Sequence, residues 1–251
     1  MKTKTLGVLG GLGPMSGIRF CELLTAHTKA EKDQDHLNLL LSSRADIPDR
    51  TDFILGHSDS DPVPAMLTEV HRLTEAGADL IAIPCNTAHH FYDRLSAEAT
   101  VPVINIIDQT VSFCLSCGYR RVGVLATEGT VASGAYEQVC RLIGLDYMTC
   151  TAAEQAVISS MIYDDIKKGK PVDRDAFLRI ADSLSRKGCD TVILGCTELS
   201  LLKRELGSCE ALTDSLEVLA YASLRLCGKE PVDFDDRLMK FSPMKGTAIC
   251  Y

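Results

Sequence analysis

Two cysteines in this chain stand where thiol chemistry can be done. Cys85 ends the apolar run Ile81-Ala82-Ile83-Pro84 and is followed by Asn86-Thr87, while Cys196 ends Val192-Ile193-Leu194-Gly195 and is followed by Thr197-Glu198. Each therefore sits at the C-terminal end of a buried-strand pattern, with polar residues opening a helix. In open α/β sheets, ligands bind outside the carboxyl ends of the strands. A helix N-terminus at such a place supplies free backbone N–H groups and positive potential, which lowers a thiol's pKa and attracts carboxylates. Two such half-sites facing each other across a cleft would put one thiol on each face of a bound ligand. Inverting a carbon acid needs that arrangement, with a base on one face and an acid on the other. The competing reading is that both cysteines are small residues used for tight strand–helix packing.

The elements that must position these thiols are legible as short β-rich apolar runs alternating with longer helical patterns. Strands are predicted over Leu6–Gly10, Leu37–Ser42, Leu80–Pro84, Val101–Ile106, Arg121–Thr127, Asp146–Thr149, Thr191–Gly195 and Ala211–Asp214. Helical periodicity covers Ile18–Ala30, Val63–Ala76, Thr87–Ala97, Val131–Ile143, Glu154–Lys168, Arg174–Lys187 and Leu216–Cys227. Gly77, Gly144, Gly169, Gly188 and Gly228 fall just past helix ends, where a left-handed terminator is wanted. Apolar strands without clean alternation, linked by helices, indicate parallel sheets covered on both faces. The halves also repeat in outline, since GVLGGLGP and VGVLATEGT open them and each closes on its cysteine at a similar separation. The expected fold is α/β, with two similar domains, each a parallel β-sheet flanked by helices, and the site in the cleft between them. Domain limits are drawn at 1–106 plus 209–251, with a returning C-terminal helix, and at 107–208.

Composition narrows the partners. The 251 residues are 46% hydrophobic and 24% charged, ordinary for a globular chain, with a formal net charge of −8. That charge argues against nucleic acid or an anionic membrane, both of which need a cationic footprint. No run approaches the roughly 20 apolar residues that span a bilayer. The N-terminus runs into a β-type segment without a signal peptide's apolar region, so a cytoplasmic location is expected. Eleven cysteines are an odd number in a chain too long for a disulfide mini-scaffold. Cys21, Cys140, Cys189 and Cys227 fit a buried, inert role. Cys114 and Cys117 form a lone C-x-x-C without the second ligand pair that a structural zinc site requires.

On the motifs GVLGGLGPMSG, SSRADIPDRTDFILG, IAIPCNTAHHFYDRL, VGVLATEGTVASGAY, IYDDIKKGK and VILGCTELSLL, the chain resembles the aspartate/glutamate racemase superfamily, and its aspartate racemase branch in particular. The resemblance covers nearly the whole length. Glutamate racemases carry a His-Tyr-Pro run after the second cysteine, whereas this chain has Thr197-Glu198-Leu199-Ser200. The resemblance implies racemisation of a small acidic amino acid, aspartate or glutamate, by a two-base mechanism without pyridoxal phosphate, metal or other cofactor. It implies that Cys85 handles the proton of the D-enantiomer and Cys196 that of the L-enantiomer. Asn86, Thr87, Thr127 and Thr197 would then donate to the α-carboxylate, although Thr at an N-cap is also ordinary helix chemistry. Arg50 and Lys167 match the positions that hold the distal carboxylate, Arg through its planar fork. Without the motif, Arg50 would be a surface residue of a polar loop, and Lys167 a solvated helix-end charge beside Asp164. A homodimer is also implied.

Other residues are weaker candidates. His89, about one turn from Cys85, could tune the thiol or simply pack. Glu198 could orient or polarise the site beside Cys196. The run Gly10-Gly11-Leu12-Gly13-Pro14-Met15-Ser16-Gly17 resembles a dinucleotide loop, but from Gly11 its register ends on Ser16 and Pro14 intrudes. No strand-terminal acid follows about 20 residues on, so the glycines are assigned to close approach of a small substrate, with Met15 near the cleft. Two rival functions remain: a decarboxylase or isomerase of a dicarboxylate on the same fold, and a non-catalytic amino-acid sensor. Pro231–Tyr251 carries no motif and is left without a role.

Overall fold

Among the described residues, eight short parallel strands form two sheets with one repeated topology. The computed structural model describes residues 4–206 and 211–244. In the first sheet the order is β2-β1-β3-β4, from β1 (Thr5–Gly10), β2 (Asn38–Ser43), β3 (Leu80–Ala82) and β4 (Val103–Ile104). In the second it is β6-β5-β7-β8, from β5 (Arg121–Ala126), β6 (Asp146–Thr149), β7 (Thr191–Gly195) and β8 (Leu212–Asp214). The registers correspond as well, with Val8 opposite Ala82 in one sheet and Val124 opposite Ile193 in the other. Both cysteines thus follow an inner strand, where both neighbours are paired and the strand end is held from two sides.

Helices cover both faces. They comprise α1 (Pro14–Ala26), α2 (Arg50–Ile54), α3 (Val63–Glu75), α4 (Tyr92–Glu98), α5 (Ile106–Ser116), α6 (Glu128–Ala132), α7 (Ala135–Ile143), α8 (Ala152–Ser160), α9 (Arg174–Arg186), α10 (Thr197–Leu206), α11 (Ser215–Leu226) and α12 (Asp236–Met239). One apolar cluster runs between the halves. It joins Val8 and Phe20 to Val122, Val124 and Tyr136 through Val111 on α5 and Leu219 and Leu224 on α11. Burying such side chains is worth about 1.5–3 kcal/mol each, so the two sheets are held by more than the polar contacts at the site.

Several elements differ from the sequence reading, each for a local reason. The strand read over 101–106 is only two residues long, because the Asn105 side chain accepts from the backbone N–H groups of Ile107 and Asp108 and starts α5. The pattern over 131–143 breaks at Gly134, which takes a left-handed φ of 67°. The pattern over 154–168 leaves the α-helix at Ser160, continues as a π turn over Met161–Asp165 and ends in a 3-10 turn over Ile166–Lys168. The segment 87–97 begins as a 3-10 helix (Thr87–Phe91) before α4. Leu212–Asp214, grouped by sequence with the first unit, pairs with β7 of the second sheet, and α11 is the element that returns to α1.

The five glycines expected at helix ends all have positive φ. The stretch from Pro231 to Met244 packs on the body: Phe234, Leu238 and Phe241 are buried, and Gln109 exchanges two hydrogen bonds with the Met244 backbone. Residues 245–251 lie outside the described residues. The nine described cysteines are free thiols, with Cys21 and Cys117 half-buried and the others buried.

Candidate active site

Cys85 and Cys196 share one narrow cavity lined by Leu12, Asp49, Arg50, Thr51, Cys85, Asn86, Thr87, Thr127, Tyr163, Lys167, Cys196, Thr197 and Glu198. The two halves of the chain therefore each contribute a thiol to the same space. Met15 is not in it. Its side chain is 61% exposed and lines an adjoining outer cleft together with Arg50, Lys167 and Glu198. Leu12, Asp49, Thr51 and Tyr163 were not singled out by sequence. Asp49 and Thr51 flank Arg50 in the same motif, and Tyr163 lies four residues before Lys167, so both signals were available.

Arg50 is buried, not a surface residue. Asp49 caps α2 by accepting from the backbone N–H groups of Thr51 and Asp52, which makes Arg50 the first residue of a five-residue helix. The Arg50 guanidinium donates through Nη1 to the carbonyls of Ile47 (3.2 Å) and Pro48 (3.0 Å), and through Nη2 to that of Leu12 (2.9 Å). Its Nε–H is buried and has no partner. A buried donor without an acceptor costs roughly 1–3 kcal/mol, so an acceptor supplied by a ligand would be strongly favoured there.

Lys167 also turns inward. Tyr163 and Lys167 lie one turn apart on one face, with the Lys167 Nζ 4.1 Å from the Tyr163 ring centroid. Its nearest carboxylate is Asp49 at 3.9 Å, at the edge of an ion pair. Asp164 pairs with exposed Lys168 at 2.8 Å on the next face, so it does not engage Lys167. The Tyr163 hydroxyl donates to Thr51 Oγ1 at 2.8 Å, joining the π turn to α2 across the cavity.

The residues after each cysteine bind the opposite half. Asn86 donates to Ser215 Oγ (3.0 Å) and accepts from the Tyr136 hydroxyl (2.7 Å). Thr197 donates to the carbonyl of Pro84 at 3.2 Å. The hydroxyls of Thr87, Thr127 and Thr130 stand 2.9 Å from one another in a closed triangle. Three hydroxyl protons fill three contacts, so one link must open for Thr87 or Thr127 to donate to a ligand. Thr127 also caps α6 through the N–H of Thr130.

The thiols differ in surroundings. Burial pushes the Cys85 thiol up, Arg50 opposes that shift, and Glu198 adds to it. Burial pushes Cys196 well above its ordinary value, and Glu198 raises it further. The Cys196 Sγ donates to Glu198 Oε2 at 3.1 Å. His89 does not tune Cys85 through the sulfur. It accepts at Nε2 from the N–H of Ile106 (3.2 Å), and so donates from Nδ1 to the carbonyl of Cys85 (2.8 Å). Burial holds its pKa down at about 4, and the neutral ring fixes the backbone of Cys85.

Two equivalent α/β units, each delivering a thiol from an inner strand end to one cavity, define a two-domain racemase fold. The chain belongs to the Asp/Glu/Hydantoin racemase family, whose profile matches residues 9–222. It is an amino-acid racemase of that family. Its fold is similar to that of Picrophilus torridus aspartate racemase, with a TM-score of 0.80 and 29% identity over 95% of this chain and 100% of that one. An aspartate racemase homologue from Pyrococcus horikoshii shares the fold at a TM-score of 0.73 and 23% identity, over 89% and 99% of the two chains. In sequence, the broad specificity amino-acid racemase RacX of Bacillus subtilis is 26% identical over 225 residues, 87% of this chain and 96% of that protein. A glutamate racemase of Aquifex aeolicus is 34% identical over 139 residues, but only 53% of this chain and 52% of that protein are aligned.

Proposed function

We propose that this racemase acts on aspartate, with glutamate as a second substrate, by a two-cysteine proton transfer that uses no cofactor. The observation that carries the reading is the cavity itself: two thiols from opposite halves share it with Lys167 and with Arg50, whose buried Nε–H has no partner. The distal carboxylate is held by Arg50 and by Lys167 drawn away from Asp49. The α-carboxylate lies at the helix starts carrying Asn86, Thr87, Thr127 and Thr197, where backbone N–H groups and a reopened threonine triangle supply donors. Glu198 completes the polar wall, and Met15 borders the outer approach.

Held in this way, the α-carbon has a sulfur on either face. A thiolate takes the α-proton and becomes a thiol, while the opposite thiol gives its proton to the carbanion and becomes a thiolate. The proton count is unchanged. The unactivated α-carbon is a very weak acid, so the cations and helix starts must favour the dianion-like transition state over the ground state. Following the resemblance, Cys85 is assigned to the D-enantiomer's proton and Cys196 to the L-enantiomer's. A cytoplasmic homodimer is the matching assembly, to be checked by light scattering. The decisive experiment incubates L- and D-aspartate separately in D₂O and follows α-deuteration by NMR. Exchange with inversion from both is expected. No exchange from either enantiomer, nor from glutamate, overturns the reading.

A further inference from the structure

We propose that Glu198 sets the resting protonation of the thiol pair, holding a proton on Cys196 so that the empty enzyme presents Cys85 as base and Cys196 as acid. The inference rests on the two-thiol reading above. Glu198 Oε2 accepts from Cys196 Sγ at 3.1 Å, and an ionised carboxylate can only accept. Glu198 is 6% exposed and forms no ion pair among the described residues. Gly13, from the opposite half, leaves the space that the other carboxylate oxygen occupies, since a Cβ there would collide with Glu198 Oε1. The carboxylate is thus wedged between the first glycine-rich loop and the thiol.

The remaining charged groups reinforce the asymmetry. From α2, Arg50 favours a thiolate at Cys85, whereas each sulfur alike has a backbone N–H that favours its thiolate, Ala88 at Cys85 and Glu198 at Cys196. Lys167, on the turn after α8, favours the thiolate at either sulfur, and Asp49 lies on its far side at 3.9 Å. Tyr163 from the same turn donates its proton to Thr51, away from both thiols. Of the two thiols, only Cys196 has a carboxylate in direct contact among the described residues, so its deprotonation would put two anions 3.1 Å apart in a buried site.

Of the two singly deprotonated forms of the enzyme, one enantiomer then meets the more abundant and the other the minor one. Because the enantiomers are equal in free energy, kcat/KM must stay equal in the two directions. The asymmetry therefore appears as a higher KM matched by a higher kcat for the enantiomer that needs thiolate at Cys196.

The test labels the substrate-free protein with iodoacetamide across a pH series and maps each cysteine by mass spectrometry. Cys85 is expected to label at a lower pH than Cys196. In Glu198→Gln the midpoint of Cys196 should fall by about one unit or more, a tenfold change, with Cys85 moving less. Glu198→Asp, which keeps the charge, should preserve the order, and Glu198→Gln should narrow the KM gap between enantiomers. An unmoved Cys196 midpoint, or Cys196 labelling first in the native protein, overturns the proposal. If Glu198→Gln does not fold, the same mass-mapped labelling compares Cys196 in Cys85→Ser with Cys85 in Cys196→Ser, and equal midpoints overturn it too. Labelling needs no turnover. A midpoint shift without racemisation would reject the aspartate reading alone, and racemisation without the shift would reject this proposal alone.

Discussion

At the scale of single residues, the cavity separates groups that do chemistry from groups that hold them. On the proposed two-thiol mechanism, each thiol needs its partner for inversion but not for exchange. Cys196→Ser is expected to lose racemisation by about 10²–10⁴-fold, the usual worth of a positioned acid or base, while α-deuteration of D-aspartate persists without inversion. Cys85→Ser should show the converse for L-aspartate. Retention of full racemisation by both variants, measured by polarimetry, would refute the division of labour. Arg50 is different, since three of its contacts are structural while its buried Nε–H has no partner. Arg50→Ala should raise the KM for aspartate about 10–100-fold, the worth of a charged hydrogen bond, and harm alanine binding far less. Equal losses for both ligands in calorimetry would remove Arg50 from selectivity.

At the scale of elements, the site depends on how closely two halves approach. Gly129 on α6 faces Thr51 on α2, and a Cβ there would stand 2.8 Å from the Thr51 Cα. Backbone cannot yield as a side-chain tip can. Gly129→Ala should therefore cost about 1–3 kcal/mol in urea unfolding despite alanine's better helix propensity, and lower kcat by spreading the cavity. An unchanged midpoint would show that α6 and α2 can separate freely. The site's short elements were also the hardest to read. Arg50 looked like a loop residue because α2 is one turn long, too short for periodicity, and only the Asp49 cap marks it. Lys167 and Tyr163 were readable as one helical face, but the π turn that aims them was not.

At the scale of the whole molecule, stability is linked to the site through His89. Its native pKa, held at about 4 by burial, lies below the ordinary 6.5. As pH falls below about 6.5 the unfolded chain takes up a proton that the native state refuses until about pH 4. Stability is therefore full above 6.5 and falls progressively toward 4, by on the order of 3 kcal/mol in all. His89→Asn keeps a donor toward the Cys85 carbonyl without the titration, and should flatten that part of the urea midpoint–pH curve. A curve as steep as the native one would assign the acid sensitivity to other groups.

The sequence by itself determined the α/β class, the repeat, every strand's approximate place and which two of eleven cysteines belong together. These are local or periodic properties: apolar runs, terminating glycines and a cysteine after each inner strand. Only the tertiary structure decided what those cysteines face. That Asn86 reaches Ser215, Thr197 reaches Pro84 and Glu198 accepts from Cys196 against Gly13 depends on packing one half against the other, and that Arg50 reaches Leu12 depends on packing within the first half. Four of those partners are distant in sequence, and burial then raises both thiols, with Glu198 in contact with Cys196.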